Sequence, residues 1–208
     1  ARMKPDNYPS VPAHLWRHFY QITQIPRPSK QEAAVRQYVI EQADQGGHPW
    51  RMDAEGNLVV SVVASAGMAQ REPVIIQNHL DMVTVKTADK EHDFTRDPLS
   101  LVVEDGWLRA DRTTLGADNG VGCAAALALM TDPAVVHPPL ERVHHPASHA
   151  VARPADEAAR RLVVLGEVGQ VLRADALAVL AVAGGAGEVP RAGAIVEDRL
   201  AELPGLAL

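Results

Sequence analysis

The amino-acid sequence predicts an α/β fold, because segments with helical and with strand periodicity alternate between residues 11 and 133. Its 208 residues allow one large domain or two small ones, and a hydrophobic fraction of 47% is enough to build a real core. A third observation is a change of composition after Glu141, which divides the chain into residues 11–141 and residues 142–208.

Two helices are predicted near the start. Residues 11–24 carry Leu15 and Phe19 at helical spacing, and Pro26 stops this segment. We interpret Ser29 as the N-cap of a second helix, with Glu32 three residues later as in a capping box. This helix is expected to end near residue 43, before two glycines.

Strands are predicted where β-branched or apolar runs lie between turn residues. Residues 57–63 form one such run, and residues 74–77 read as a short buried strand. Residues 99–103 and 107–110 flank a Glu-Asp-Gly turn, which is typical of a hairpin. A helix rich in glycine and alanine is expected to begin at Asp118 and to end before Pro133.

Residues 142–208 differ from the rest of the chain. About a quarter of them are alanine, with much valine, arginine, proline and glycine. No aromatic residue follows Trp107 and no lysine follows Lys90. We predict possible helices over residues 158–165 and 172–183. We expect an Ala-rich tail that is either helical or disordered.

Charge and composition exclude several classes of function. The 20 Lys and Arg residues against 26 Asp and Glu residues give a net charge of −6, which argues against a nucleic-acid partner. The start lacks the apolar stretch of a signal peptide, and no apolar run is long enough to cross a membrane. We therefore expect a soluble cytoplasmic protein without a membrane partner. Cys123, the single cysteine, excludes an internal disulfide and reads as a small buried hydrophobe.

The first candidate site is His79-Leu80-Asp81, directly after the predicted strand 74–77. Functional groups collect at the carboxyl ends of strands in α/β sheets, and alternation puts His79 and Asp81 on one face. A carboxylate that accepts the free imidazole N–H fixes the tautomer of a metal-ligating histidine. The alternative is a structural Asp–His hydrogen bond at a strand end.

The second candidate is Asp118, presented by the segment 113–120 as a helix begins. A carboxylate there could bridge two cations, or Asp118 or Asn119 could simply cap the helix. The glycines of this segment fit neither a dinucleotide-binding loop nor a P-loop. A third group, His144, His145 and His149, invites a metal interpretation, but Pro146 disfavours a helix that would hold the ligands.

Read together with their flanks, these motifs resemble a known family. The matching segments occur in one order: residues 15–19 (LWRHF), 25–29 (IPRPS), 54–58 (AEGNL), 77–83 (QNHLDMV), 92–98 (HDFTRDP) and 113–120 (TTLGADNG). The set closely resembles the aminoacyl-histidine dipeptidases (Xaa-His dipeptidases, carnosinase-like), which are zinc metallopeptidases of the peptidase M20 family. The resemblance covers roughly residues 11–141.

The resemblance implies a fold, a chemistry and roles for three residues. The fold would be a three-layer zinc-peptidase catalytic domain, cut short after its small-residue helix. His79 would ligate one zinc ion, Asp81 would hold His79 and tune the site, and Asp118 would bridge two zinc ions. A metal-activated water would attack the peptide carbonyl of small peptide substrates with histidine in second position. The complete family protein could form a homodimer.

The chain also departs from the family. The family continues after the segment equivalent to Glu141 with an apolar strand and a Glu-Glu pair that supplies the general base and a metal ligand. Here the sequence reads Arg-Val-His-His-Pro, and it contains no Glu-Glu pair. Asp156-Glu157 follows Pro154 and reads as the first turn of a helix. The family chain is also more than twice as long.

These departures lead to two expectations. GC-rich DNA read out of frame would produce the composition of the tail, so we interpret the break near Glu141 as a frameshift or other gene damage; the alternative is a natural Ala-rich tail from a GC-rich genome. We expect little or no dipeptidase activity from this chain, because a catalytic zinc normally needs three protein ligands. The alternative to a dipeptidase is a non-catalytic fragment with at most weak metal binding.

Overall fold

The computed structural model describes residues 4–145, 161–164 and 172–173, all within the first of two compact units, Ala1–Ala174. The second unit, Asp175–Leu208, lies outside the described residues. The helices of the described part are α1 (Ala13–Thr23), α2 (Ala33–Gln45) and α3 (Ala117–Thr131). Its strands are β1 (Trp50–Met52), β2 (Leu58–Val62), β3 (Val74–His79), β4 (Leu101–Glu104), β5 (Trp107–Ala110), β6 (Leu140–His145), β7 (Arg161–Val164) and β8 (Leu172–Arg173). The predicted α/β class is confirmed.

A mixed five-stranded sheet has the order β1-β2-β6-β3-β7. Strand β3 lies inside it, between β6 and β7, and is parallel to both. Strands β1, β2 and β6 pair in antiparallel fashion. The second sheet, β4-β5-β8, is antiparallel and contains the predicted hairpin. The inner position of β3 explains its apolar sequence, because a strand covered on both faces needs apolar residues at successive positions.

Helices α1 and α3 pack against each other, and small residues of α3 make this possible. A Cβ atom at Gly120 would lie 3.2 Å from the ring of Phe19, so the missing side chain leaves room for that ring. Trp16 and Phe19 of α1 are almost fully buried, as are Ala124 and Leu127 of α3. Burial of a large apolar side chain stabilises the fold by roughly 1.5–3 kcal/mol relative to exposure.

The structure corrects the expectations for the tail. Arg161–Val164 is a strand paired with β3, so the prediction of a helix over residues 158–165 is wrong for these four residues. Leu172–Arg173 is also a strand, at the start of the second predicted helix, residues 172–183. Backbone pairing with an existing strand overrides a weak local helical preference. The rest of both segments lies outside the described residues.

Two further elements differ from the sequence prediction. Strand β1 was not predicted, because three exposed residues are too short a segment for the two-residue periodicity of a strand to be recognised. Strand β6 runs through Glu141, where we divided the chain; it pairs with β3 along its whole length and with β2 over residues 140–144. None of the helices in the described ranges is long and apolar enough to span a bilayer.

Candidate active site

The carboxyl end of β3 carries His79, as the sequence predicts. Its Nδ1 atom lies 3.0 Å from Oδ1 of Asp81, so the alternation of side chains does bring these two residues together. The hydrogen bond to Asp81 is the main cause that raises the pKa of His79, while burial opposes it and Asp118 adds to it. The imidazole is therefore held in a fixed orientation by one carboxylate.

Asp118 approaches the other side of the same imidazole. Its Oδ1 atom lies 3.0 Å from Nε2 of His79, although 39 positions separate the two residues. Gly116 precedes α3 in the left-handed conformation (φ 65°), and Asp118 itself has extended rather than helical angles, so the chain turns sharply where it presents this carboxylate. The Asp118–Asn119 peptide bond is cis. Asp118 makes no side-chain cap of α3 in this arrangement; it faces His79.

Ser29 belongs to this site, and its predicted role as a helix cap is wrong. Helix α2 begins at Ala33 after Glu32, without a side-chain cap, and the Glu32 carboxylate accepts a hydrogen bond from the backbone N–H of Lys30. The Ser29 hydroxyl instead donates to Oδ2 of Asp81 at 2.5 Å. A local pattern of Ser and Glu cannot distinguish a cap from a contact with a distant carboxylate.

Asp81 is almost enclosed, with 8% of its side chain exposed. Burial pushes the pKa of Asp81 upward, but hydrogen bonds from His79 and Ser29 outweigh it, so the pKa lies below its usual range. Both carboxylate oxygens are then occupied: Oδ1 by His79 and Oδ2 by Ser29. Asp81 is thus a charged acceptor with a fixed direction.

Arg27 is a second residue that the sequence reasoning missed. Its side chain is 1% exposed and donates to the backbone carbonyls of Leu80, Asp81 and Gly116. The only signal in the sequence was its place in the segment 25–29, which carried the family resemblance. Nothing in the local pattern predicts that a charged residue between two prolines is buried.

Cys123 lies behind His79 and is not a nucleophile candidate. Its thiol donates to the backbone carbonyl of His79 at 3.2 Å, and burial raises the pKa of Cys123 to about 11. A nucleophilic cysteine needs a lowered pKa, so the interpretation as a small buried residue holds.

Of the histidines after Glu141, His144 does not join this site. His144 is buried in β6, and its Nε2 atom accepts a hydrogen bond from Arg142 at 3.1 Å. His145 is in register with His79 on the neighbouring parallel strand. His149 and the pair Asp156-Glu157 lie outside the described residues.

The donor types around His79 fit a zinc ion in part. An imidazole nitrogen and a carboxylate oxygen, from His79 and Asp118, are ordinary zinc ligands, and Asp81 supplies the outer partner such a histidine usually has. Among the described side chains of residues 4–144, however, no group of three or more His, Cys, Asp or Glu residues is arranged to hold a metal ion. The described residues therefore offer a pair of ligands rather than a complete set.

The fold is an α/β domain that is also found in solved peptidase structures. A tripeptidase from Staphylococcus aureus has the same fold, with a TM-score of 0.50 and 20% identity over 63% of this chain and 35% of its own. No protein-family model matches the chain.

The particular relatives are dipeptidases. The cytosol non-specific dipeptidase of Escherichia coli (strain K12) is 45% identical over 130 residues, which are 62% of this chain and 27% of that protein. The aminoacylhistidine dipeptidase of Vibrio alginolyticus superposes with a TM-score of 0.65 and 40% identity over 67% of this chain and 29% of its own. The predicted resemblance to aminoacyl-histidine dipeptidases is thereby confirmed. The chain spans between a quarter and a third of the length of these relatives.

Proposed function

We propose that residues 11–141 form the first part of the catalytic domain of a metallodipeptidase. His79 would be a zinc ligand through Nε2, Asp118 the ligand that bridges two zinc ions, and Asp81 the residue that orients His79. The observation that carries this proposal is the position of His79 between two carboxylates, 3.0 Å from each, at the carboxyl end of an inner strand. The similarity to dipeptidases supports the reaction class.

The residues of the site have distinct tasks in this proposal. Zinc held here would polarise a peptide carbonyl and lower the pKa of a bound water. Asp81 would accept a hydrogen bond from Nδ1–H of His79, which leaves Nε2 to face the metal position. Asp118 offers an acceptor from the opposite side of that position. We derive no hydrolytic step beyond these tasks, because the described residues supply neither a third ligand nor a general base.

The substrate and the compartment follow from the relatives. We infer small peptides as substrates, and dipeptides with histidine in second position, such as carnosine, as the class to test first. The name of the E. coli relative supports a cytosolic location. A homodimer stays a prediction for the complete family protein.

A second candidate function is a non-catalytic fragment with weak metal binding. It is favoured by the incomplete set of ligands among the described residues and by a sequence without a Glu-Glu pair. We therefore expect this polypeptide to bind zinc weakly through His79 and Asp118 and to hydrolyse carnosine very slowly or not at all.

Metal content and turnover measured on one preparation test both candidates. Zinc bound to the purified chain is measured by equilibrium dialysis against buffer that contains zinc, so that weakly held ions are counted, and carnosine hydrolysis is followed in parallel. His79→Gln should abolish the bound zinc, whereas His137→Gln, beside the opposite end of β3, should not. Two zinc ions per chain with ordinary turnover would establish the dipeptidase and refute our expectation of inactivity. No zinc in the unaltered chain would refute the metal site.

A further inference from the structure

The guanidinium of Arg27 connects the two loops that carry the site residues. Nη1 donates to the carbonyls of Leu80 and Asp81, at 2.9 Å each, in the loop that follows β3. Nη2 donates to the carbonyl of Gly116 at 2.5 Å, in the loop that precedes α3. One side chain thus ties the backbone around Asp81 to the backbone two residues before Asp118.

Two glycines of the segment 113–120 make space for this guanidinium. A Cβ atom at Gly116 would lie 2.5 Å from Nη2 of Arg27, and a Cβ atom at Gly120 would lie 2.7 Å from it. Cβ atoms do not approach another heavy atom so closely, so a side chain at either position would displace the guanidinium. These glycines, which fit neither a dinucleotide-binding loop nor a P-loop, therefore accommodate an arginine of the same chain.

The backbone beside Arg27 strengthens the same connection. The N–H of Met82 donates to the carbonyl of Arg27 at 3.1 Å, and Pro28 pairs with Met82 in a parallel bridge. This pairing brings Ser29 to Asp81, where its hydroxyl binds Oδ2. Residues 27–29 thus hold the loop after β3 through both main chain and side chains.

A buried arginine could also be a purely structural anchor of the core. The position of the charge argues for more than that. A guanidinium is costly to bury, and the charges that act favourably on Arg27 include those of Asp81 and Asp118, two residues of the candidate site. All three carbonyls that it binds belong to the two loops of that site.

We propose that Arg27 and Ser29 are positioning residues for the metal site. Arg27 sets the spacing between the loop of His79 and Asp81 and the loop of Asp118, and Ser29 fixes the direction of the Asp81 carboxylate. The expected effect of these residues on zinc binding rests on the proposed function. Their expected effect on the order of the two loops does not.

The full chain is compared with five variants: Arg27→Met, Arg27→Lys, Ser29→Ala, Ser29→Thr and the control Arg36→Met. Arg36 also donates from its guanidinium to a distant backbone carbonyl, that of Gly56, but in a turn outside the candidate site. Backbone hydrogen exchange is measured without zinc over residues 80–83 and 114–118, with β2 as reference. Zinc affinity is then measured by competition with a chromophoric chelator.

Arg27→Met should speed exchange in both loop segments by about tenfold or more while β2 keeps its rate. It should weaken zinc binding by roughly 10–100-fold, the usual effect of losing a partner of the ligands. Arg27→Lys keeps the charge but lacks the planar fork, so at least one segment should still exchange faster. Ser29→Ala should weaken zinc binding by about tenfold and leave residues 114–118 unchanged. Ser29→Thr should restore the affinity, because it keeps the hydroxyl.

The proposal fails if Arg27→Met and Arg36→Met give the same loop exchange and the same zinc affinity. If Arg27→Met does not fold, Arg27→Lys and the pair Ser29→Ala and Ser29→Thr decide in its place, since Ser29 is exposed and cheap to replace. If the unaltered chain takes up no zinc, the proposed function falls, and loop exchange alone decides the role of Arg27. Equal zinc affinity in the unaltered chain and all Arg27 and Ser29 variants overturns the inference and leaves the proposed function standing.

Discussion

Arg142 and His144 lie on the same face of β6, and Nη2 of Arg142 is 3.1 Å from Nε2 of His144 with both side chains completely buried. Nη1 of Arg142 faces the sulfur of Met130 in α3, and its Nε atom has no hydrogen-bond partner among the described residues. Two polar side chains thus occupy the place where an inner strand normally presents apolar ones. Burial lowers the pKa of Arg142 to about 9.

Arg142→Met should therefore stabilise the fold. An apolar side chain of similar length removes an incompletely bonded buried charge, and we expect a gain of roughly 1 kcal/mol or more in the free energy of unfolding. Urea unfolding at about pH 7 measures it. Arg36→Met makes the same substitution at a half-buried arginine with a good hydrogen bond, and should destabilise. A lower free energy of unfolding in Arg142→Met would show that the buried charge of Arg142 stabilises the fold on balance.

The gain in stability expected for Arg142→Met depends on pH in a defined way. Because the folded state holds the proton of Arg142 less tightly than the unfolded state, the cost of burial is fully present below about pH 9 and is relieved as the pH rises further. The advantage of Arg142→Met should thus be smaller at about pH 10.5 than at about pH 7. An advantage that does not change with pH would contradict this origin.

Gly116→Ala should destabilise much more than Gly67→Ala. Both glycines have positive φ, so both substitutions cost about 1 kcal/mol in backbone strain. A Cβ atom at Gly67 meets nothing within 4 Å, whereas at Gly116 it would meet Arg27 at 2.5 Å and the sulfur of Met82 at 2.8 Å. We expect a total loss of about 3 kcal/mol for Gly116→Ala, measured by thermal or urea unfolding. Equal losses in the two variants would mean that the Arg27 guanidinium moves aside easily.

Asp81→Asn should weaken zinc binding by roughly 10–100-fold without unfolding the chain. The amide keeps the shape of the carboxylate but loses the charge that holds the Nδ1 proton of His79. Chelator competition gives the affinity, and Asp111→Asn, which removes a surface carboxylate paired with Lys90, serves as the control. An affinity unchanged by Asp81→Asn would favour the structural interpretation of the His79–Asp81 contact.

His18 should make the fold sensitive to acid. Its ring is completely buried between Tyr38 and Thr131, with a nitrogen 2.7 Å from each hydroxyl. The Thr131 hydroxyl donates to the Leu127 carbonyl, so it accepts from Nε2 of His18, and Nδ1 then accepts from Tyr38. Burial, followed by the charge of Arg17, lowers the pKa of His18 to about 3.

His18 is protonated near pH 6.5 in the unfolded state but only near pH 3 in the folded state. The free energy of unfolding therefore decreases as the pH falls from about 6.5 towards 3. His18→Gln should be less stable than the unaltered chain at about pH 7 but should lose less stability on acidification. Thr131→Val keeps the titrating ring and should retain the slope while it loses about 1–3 kcal/mol. Urea unfolding between about pH 4 and 7 measures both, and a slope unchanged in His18→Gln would refute this assignment.

Local patterns predicted the elements that local physics controls. Helices α1 and α3, strands β2 and β3 and the β4–β5 hairpin lie within a few residues of their predicted bounds. The contact between His79 and Asp81 also follows from the alternation of side chains along an extended segment. The zinc-related roles of His79, Asp81 and Asp118 stay predictions.

Where the sequence reasoning failed, a distant segment decided the outcome. Ser29 reads as a helix cap, but Asp81, 52 positions away, binds its hydroxyl. Arg161–Val164 was expected to be helical, but the edge of β3 provides a strand to pair with. Strand β1 is exposed and only three residues long, and it pairs with β2 beside it.

The sequence by itself determined the α/β class, the boundaries of most elements, the pairing of His79 with Asp81 and the resemblance to dipeptidases. These features depend on residue order and on the strand and helix periodicities of two and 3.6 residues, which are local properties of the sequence. Only the tertiary structure decided that Arg27 is buried between the loops of Asp81 and Gly116, and that Asp118 faces His79. Such contacts join residues tens of positions apart, and they form because most buried donors and carbonyls must find a partner, wherever in the chain that partner lies.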